Sequence, residues 1–210
     1  MDLIQALGVI ANSLLQPANE GGAVVITSFS PKFWSTGLDV NEHHRNPGSH
    51  AEGFYPLVAK ILSYPFPVVA MITGHTFGGA SLVALACDYR FMNSRRGFLS
   101  LPSINLGVYF PGIGMLPRLK LRPHIARKML MEGFRWTSRE ALEDWIVDEI
   151  AEPDVMLDRA IAVAQEHAPK ASANVYALLR SELYGKAFDA FERLSHIPEP
   201  RTDPAVKANI

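Results

Sequence analysis

Two glycine-rich segments are the strongest candidates for chemistry in the 210-residue sequence. The first turn covers residues 32–40 around Gly37, and the second turn covers residues 74–81 with Gly78 and Gly79. Each follows a short run of apolar and β-branched residues, which is typical of a buried strand. Glycine lets a backbone approach a ligand closely, and a helix beginning after the second turn would present free N–H groups. Such turns stabilise an anion, either a phosphate or an oxyanion formed during a reaction.

The second turn lacks the signatures of the common nucleotide-binding loops. It contains no Gly-Lys-Ser or Gly-Lys-Thr, and its glycine spacing is not that of the dinucleotide fingerprint. Ser81, His75 and Asp88 are the residue types of a hydrolase triad, yet no Gly-x-Ser-x-Gly elbow is present. We expect no metal site, because no spacing of His with Asp or Glu suggests one. A purely structural strand-to-helix turn remains the alternative.

Composition excludes several function classes. Twenty Lys and Arg against twenty-one Asp and Glu give a net charge of −1, so a strongly basic nucleic-acid binder is not indicated. Cys87 is the only cysteine, which excludes an intramolecular disulfide framework and fits a reducing compartment. Prolines and glycines interrupt the uncharged run at 61–87, so a buried strand and turn are favoured over a membrane span.

The termini show no targeting signal. The first basic residue is Lys32, so the positive start of a signal peptide is absent, and the final Ala-Asn-Ile is not a small-basic-leucine peroxisomal signal. We therefore expect an intracellular, cytoplasmic protein.

Strand patterns that alternate with helical patterns predict an α/β fold with parallel strands. Buried strands are predicted over residues 23–27, 68–73 and 88–92. Helices are predicted over residues 1–15, 54–62, 80–86, 123–131, 155–167, 171–184 and 186–194. Thr137 and Glu140 form a capping box that predicts one more short helix, while residues 28–50 are predicted to be loop. The resulting organisation is an α/β core over 1–152, a helical region over 153–197 and an extended tail over 198–210.

Charge is segregated along the chain. A basic group comprises Arg118, Lys120, Arg122, Arg127 and Lys128, and eight acids lie between residues 140 and 158. Solvated helix faces are the ordinary explanation. The alternative is a basic rim for a phosphorylated ligand, or a complementary subunit contact.

In combination, these segments resemble the enoyl-CoA hydratase/isomerase (crotonase) family over residues 22–150. The resemblance rests on the two turns about forty residues apart, on Ala-Cys-Asp-Tyr-Arg at 86–90 and on the segment 137–150. Leu-Gly at 106–107 and Pro-Gly at 111–112 extend it. Phe-Trp-Ser-Thr-Gly-Leu-Asp at 33–39 is nearest to the Δ3,Δ2-enoyl-CoA isomerase branch.

This resemblance implies a crotonase-like fold of repeated ββα units with a helical C-terminal region. It also implies an acyl-CoA ligand in fatty acid metabolism, no cofactor apart from the CoA of the substrate, and a homotrimer or a dimer of trimers. A peroxisomal location is a further implication of the family alone. The family's N-terminal strand pair is expected to be missing, which would leave an exposed sheet edge.

The same resemblance assigns site residues. The backbone N–H groups of Leu38 and Gly79 fall on the family's oxyanion hole, which stabilises an enolate. The substrate-binding set is Lys32, Phe33, Trp34, Thr36, Leu38, Asp39, Gly78 and Gly79. Phe33 and Trp34 pack against either the ligand or the core, and Lys32 and the basic group are candidates for the CoA phosphates.

Three departures from the family's pattern concern the acid/base groups. Leu82, Ser103 and Pro111 stand where family members carry glutamates, so we expect no hydration. Isomerisation still needs a proton carrier, which we expect to come from the loop 39–50 or from a neighbouring subunit. Glu42, His43 and His44 are the candidates in this loop, which also contains His50. Two hypotheses follow: an enoyl-CoA isomerase, or an inactive acyl-CoA binder or assembly subunit.

Overall fold

The structure is a computed structural model that describes residues 21–30, 32–39, 45–46 and 48–197. Its strands form two parallel sheets, one in the order β1-β3-β5-β7 and one in the order β2-β4-β6. The strands are β1 Val24–Ile26, β2 Phe33–Ser35, β3 Val68–Ile72, β4 His75–Phe77, β5 Tyr89–Asn93, β6 Leu99–Ser100 and β7 Glu149–Ala151.

Helices follow and cover the strands. A π-helical turn, His50–Phe54, leads directly into α1, and a 3-10 turn, Ala168–Ala171, follows α7. The α-helices are α1 Tyr55–Leu62, α2 Gly79–Ala86, α3 Ser103–Leu106, α4 Met115–Lys120, α5 Pro123–Glu132, α6 Ser138–Glu143, α7 Met156–His167 and α8 Val175–His196. In the described part of the chain, no helix combines the length and apolar character needed to cross a bilayer.

Strand β3 lies at the centre of the core because every one of its residues is buried. Val68, Ala70 and Ile72 face the large cluster that includes α1 and α2. Val69 and Met71 face a smaller cluster that includes residues of α7. Burial on both faces is the reason that this strand is continuously apolar, as parallel sheets require.

The structure confirms the α/β class with parallel strands and corrects three element assignments. Strand β2 lies inside the predicted loop 28–50, and strand β4 lies inside the glycine turn at 74–79. The predicted helices 171–184 and 186–194 are one helix, α8, because packing against α1 outweighs the cost of Gly185 in a helix. The predicted helix 1–15, the tail from 198 and the missing strand pair lie outside the described residues.

The capping box at the start of α6 is confirmed. The Thr137 N–H donates to Glu140 Oε2 at 2.8 Å, and the Thr137 hydroxyl accepts from the Glu140 N–H at 3.4 Å. The Thr137 hydroxyl also donates to Glu140 Oε2 at 2.7 Å, and the two hydrogen bonds that this carboxylate accepts from Thr137 lower the pKa of the Glu140 carboxyl.

A buried guanidinium joins the C-terminal helix to the sheet. Arg180, on α8, donates from Nε to Leu62 O at 3.0 Å and from Nη2 to Ile61 O at 2.7 Å, so it caps the end of α1. Its Nη1 pairs with Asp88, whose Oδ2 accepts from the Val68 N–H at 2.8 Å. One side chain therefore fixes α8, α1 and the start of β3, and Asp88 has a structural role in this link.

Replacing Arg180 with methionine should destabilise the fold strongly. The change leaves the Asp88 carboxylate and two helix-end carbonyls buried without their donor, which costs about 3–5 kcal/mol for a broken buried pair. Urea unfolding measures the loss. Arg159→Met, which removes an exposed pair with Glu149, is the matched control and should change little. Equal losses in the two variants would contradict the role of Arg180.

Candidate functional site

The backbones of the two glycine turns are in close contact. A Cβ atom added at Gly37 would lie 2.5 Å from Phe77 O and 3.0 Å from Gly79 N. Gly37 also has a φ of +90°, a conformation that other residues rarely adopt. Glycine is required here because the first turn rests directly on the end of β4 and the start of α2.

Leu38 and Gly79 are neighbours in space although 41 positions separate them in the sequence. A Cβ atom at Gly79 would lie 2.9 Å from Leu38 Cγ and 3.2 Å from Phe54 Cε2. Gly79 begins α2, so its N–H has no acceptor within the helix. In the described part of the chain neither the Leu38 N–H nor the Gly79 N–H is found donating a hydrogen bond. Two backbone donors are therefore available side by side.

A cavity of about 420 Å³ lies at this junction. Its wall is mostly apolar or backbone, and its two titratable side chains among the described residues are Asp39 and His50. The lining residues are Ser35, Gly37, Leu38, Asp39, Ser49, His50, Gly53, Phe54, Leu57, Gly79, Ala80 and Val83. The structure thus brings Leu38, Asp39 and Gly79 of the predicted set around one space.

The imidazole of His50 is buried in an aromatic cluster at the cavity wall. His50 is only 7% exposed, in the π-helical turn that precedes α1. Its ring centroid lies 6.3 Å from that of Phe54, 6.0 Å from that of Tyr55 and 5.5 Å from that of Phe110. Asp39 differs, since its side chain is 54% exposed and lies 4.0 Å from the Arg45 guanidinium.

The predicted proton carriers Glu42, His43 and His44 lie outside the described residues. His50 belongs to the same loop in the sequence, but no spacing or motif singled it out. The structure shows that His50 lines the cavity, because the π-helical turn His50–Phe54 lies beside the two glycine turns.

The three positions that lack a family carboxylate do not line the described part of this cavity. Leu82 is fully buried on α2, where it packs in the large core cluster. Ser103 begins the short helix α3, and Pro111 follows Phe110 in the connection to α4.

The aromatic residues of the first turn divide between core and surface. Trp34 is buried in the large cluster, and its indole N–H has no hydrogen-bond partner among the described residues. Phe33 is half-buried beside the ring of His75, and the ammonium of exposed Lys32 lies 5.2 Å from the Phe33 ring centroid. Ligand contacts by these residues, by Thr36 and by Gly78 stay predictions.

The hydrolase triad considered from the sequence is not assembled. The fully buried Ser81 hydroxyl donates to Ser100 O at 2.8 Å, and Asp88 forms the ion pair with Arg180. His75 lies in β4, where it accepts from the backbone of Phe98. Among the described residues, no group of three His, Cys, Asp or Glu side chains is placed to hold a metal ion.

Cys87 directly follows the last residue of α2 and is a small buried residue. It is fully buried, and its Sγ lies 3.3 Å from Val83 O, to which it donates. Burial raises the pKa of the thiol to about 12, so it stays protonated at neutral pH.

A second cavity, of about 530 Å³, lies at the carboxyl ends of β1, β3 and β5. Its polar groups are bonded to one another: Thr73 Oγ1 donates to Ser30 O, and Asn93 Nδ2 donates to Thr73 O at 3.0 Å. Arg95 on its rim is paired with Glu152. These hydrogen bonds tie together the chain segments at the carboxyl ends of β1, β3 and β5.

The sequence model of the enoyl-CoA hydratase/isomerase family matches residues 2–196. This chain belongs to that family. The match spans nearly the whole chain, so it includes both glycine turns and the cavity between them. The crotonase-like fold expected from the sequence is confirmed as well.

Several relatives and solved structures are similar to this family member. It is 32% identical to the peroxisomal enoyl-CoA delta isomerase 2 of Arabidopsis thaliana, over 82% of this chain and 79% of the relative. It is 31% identical to the carnitinyl-CoA dehydratase of Salmonella arizonae, over 73% and 60% of the two chains. The crystal structure of a probable enoyl-CoA hydratase from Mycobacterium tuberculosis covers 92% of this chain and 82% of its own, with a TM-score of 0.78 and 22% identity.

Two residues of the basic group form ion pairs with acidic residues of the same chain. Arg127 pairs with Glu132 at 3.0 Å, and Lys128 pairs with Asp144 at 3.5 Å. Contact with the CoA phosphates stays a prediction for the group as a whole.

Lys120 is a partly buried member of the basic group. Its Nζ lies 3.7 Å from the Tyr184 ring centroid and donates to Cys87 O at 3.4 Å. Burial, together with the positive charge of Arg90, lowers the pKa of Lys120 to about 7.

Lys120 should make stability depend on pH. An unfolded lysine has a pKa near 10.5, so between about pH 7 and 10.5 the unfolded chain binds more protons and the free energy of unfolding rises with pH. Below pH 7 the cost of burying the charge is fully present. Lys120→Met should remove a slope of up to about 1.4 kcal/mol per pH unit, measured by urea unfolding from pH 7 to 9. Exposed Lys186→Met should retain the slope, and an unchanged slope in Lys120→Met would disprove the assignment.

Proposed function

We propose that this protein is an enoyl-CoA delta isomerase that moves the double bond of a 3-enoyl-CoA to the 2-position. The thioester oxygen would lie between the N–H groups of Leu38 and Gly79. The observation that carries this proposal is the direct contact of the two glycine turns, which sets two backbone donors side by side at a cavity. No cofactor is required beyond the CoA portion of the substrate.

The physical chemistry of the reaction supports this placement. Removing a proton next to a thioester moves negative charge onto the carbonyl oxygen. Donors that are already in position stabilise this enolate without a reorganisation cost, and each one is typically worth about 3–4 kcal/mol in the transition state. Only the amide of Leu38 is used, so its apolar side chain is compatible with the role.

The cavity wall supports an acyl ligand. Phe54, Leu57 and Val83 give it an apolar surface beside the two donors. Apolar lining with a few fixed polar groups is the usual character of a small-molecule site. We propose that the acyl chain packs against these three side chains.

Relatives favour isomerisation as the specific activity. Enoyl-CoA delta isomerase 3 of Arabidopsis thaliana is 30% identical over 82% of this chain, beside isomerase 2 of the same plant. Carnitinyl-CoA dehydratases match at similar identity over less of the chain. Leu82 and Ser103 favour isomerisation over hydration, since water activation by the family's glutamate pair has no counterpart at these positions.

Assembly and location are part of the proposal. We propose a homotrimer or a dimer of trimers, supported by an exposed apolar stripe on α8 formed by Val175, Leu178, Leu179 and Leu183. Contacts between copies of the chain would remove this stripe from water. We propose an intracellular location, cytoplasmic or, as in the name of one Arabidopsis relative, peroxisomal.

The second candidate function is an inactive acyl-CoA binder or assembly subunit. It is favoured by Leu82, Ser103 and Pro111, which leave all three known carboxylate positions empty. Turnover of a 3-enoyl-CoA separates the two functions, because the binder would bind this thioester without converting it.

Two substitutions at Gly79 test the oxyanion donors. Both alanine and proline add a Cβ that crowds Leu38, but only proline removes the N–H. Gly79→Pro should therefore lower kcat by roughly 100- to 1,000-fold relative to Gly79→Ala. Isomerase kinetics and acyl-CoA titration on folded variants provide the measurement, and equal rates in the two would refute the placement.

Water addition to a 2-enoyl-CoA should be negligible. The expected rate is at least about 100-fold below that of isomerisation, because the glutamates that activate water are replaced by Leu82 and Ser103. Loss of the enoyl-thioester absorbance measures hydration, and conversion of a 3-enoyl-CoA measures isomerisation. Hydration as fast as isomerisation would show that another residue pair activates water.

A further inference from the structure

We propose that His50 is the proton carrier of this site, an inference that rests on the proposed isomerase function. His50 lines the same cavity as Leu38 and Gly79, and its side chain is buried there. No motif assigns it, since the family's carboxylate positions fall on other residues.

The ring of Phe54 lies between His50 and Gly79, and it sets the position of His50 relative to the Gly79 N–H. Phe54 Cε2 lies 3.2 Å from the place a Gly79 Cβ would occupy, and the ring centroids of Phe54 and His50 are 6.3 Å apart. The imidazole therefore lies one aromatic ring beyond the Gly79 donor. A thioester oxygen held at Leu38 and Gly79 would place the α- and γ-carbons of the acyl chain in the space that His50 borders.

The environment distinguishes His50 from Asp39, the other titratable residue on the described wall. Asp39 is half-exposed and faces the Arg45 guanidinium, so water and a cation compete for its oxygens. His50 is held by the aromatic rings of Phe54, Tyr55 and Phe110, which fix its orientation. An imidazole nitrogen can also accept a proton and return it, which is the chemistry that a proton carrier needs.

The proposed step conserves atoms and charge. A neutral imidazole nitrogen takes the proton from C2, the C2–H bond breaks, and its electron pair forms the enolate whose oxygen accepts from Leu38 and Gly79. The imidazolium then returns the proton to C4, the C2=C3 bond forms as the C3=C4 bond is lost, and the neutral imidazole is restored. No water, metal or redox partner takes part.

The experiment separates proton removal from the complete reaction. Exchange of the α-hydrogens of a saturated acyl-CoA in D2O reports proton removal alone, and 3-enoyl-CoA turnover reports both transfers. His50→Gln should lower both rates by about 100-fold or more while changing acyl-CoA affinity by less than about threefold. Asp39→Asn tests the competing residue, and exposed His124→Gln, at the start of α5, is the matched control that should leave both rates unchanged.

A second pair of variants guards against a folding defect. His50→Phe keeps a ring in the aromatic cluster and removes both nitrogens, so it should remain folded and inactive. His50→Ala opens space at the wall, and added imidazole should restore part of the exchange rate. A purely structural role for His50 would give neither the inactive folded His50→Phe protein nor the imidazole rescue.

The outcomes distinguish this inference from the proposed function. If folded His50→Gln retains the exchange and turnover rates, or if Asp39→Asn loses them instead, His50 is not the proton carrier. The proposed isomerase function is unaffected by either result. Binding of acyl-CoA by the unmodified protein without exchange or turnover overturns both the proton carrier and the isomerase, and leaves the binder. Absence of acyl-CoA binding overturns the site itself.

Discussion

The approach of the first glycine turn to the backbone of the second is the constraint on which the site depends. At Gly37 a side chain has no room, because Phe77 O and Gly79 N already occupy the space that a Cβ would need. This contact joins the end of β2 in one part of the chain to the start of α2 in another. Without it, Leu38 and Gly79 would lie apart, and the cavity between the turns would have no shared wall.

The Arg180 cluster supports that contact from a distance. Arg180 caps the carbonyl end of α1, and the other end of α1 continues from the turn that carries His50 and Phe54. The same side chain reaches Asp88, which holds the first residue of β3. Helix α8 thus stabilises the cavity wall through the contact of Arg180 with α1. The residues that line the cavity themselves come from the first half of the chain.

Sequence patterns predicted the elements whose signal is local. Strand β3, helix α2 and the Thr137 cap follow from composition over a few residues, and the structure confirms them. Strands β2 and β4 were missed because three residues inside a glycine-rich segment carry too little pattern. The sequence predicts a break at Gly185 in α8, since it does not show that α1 packs against this helix. The two turns could be predicted as a pair, whereas His50 required the path of the chain in three dimensions.

Helix α2 has the Gly79 donor at one end and the protein's single cysteine at the other. Because the Cys87 thiol is fully enclosed and its pKa is raised to about 12, a thiol reagent reaches it only when the packing around α2 opens. The rate at which the reagent labels Cys87 in the native protein therefore measures how often the packing around α2 opens locally. Because α2 begins with Gly79, this rate reports on the helix that presents the Gly79 N–H. Cys87 is a native residue, so this local opening beside the site can be measured without introducing a cysteine.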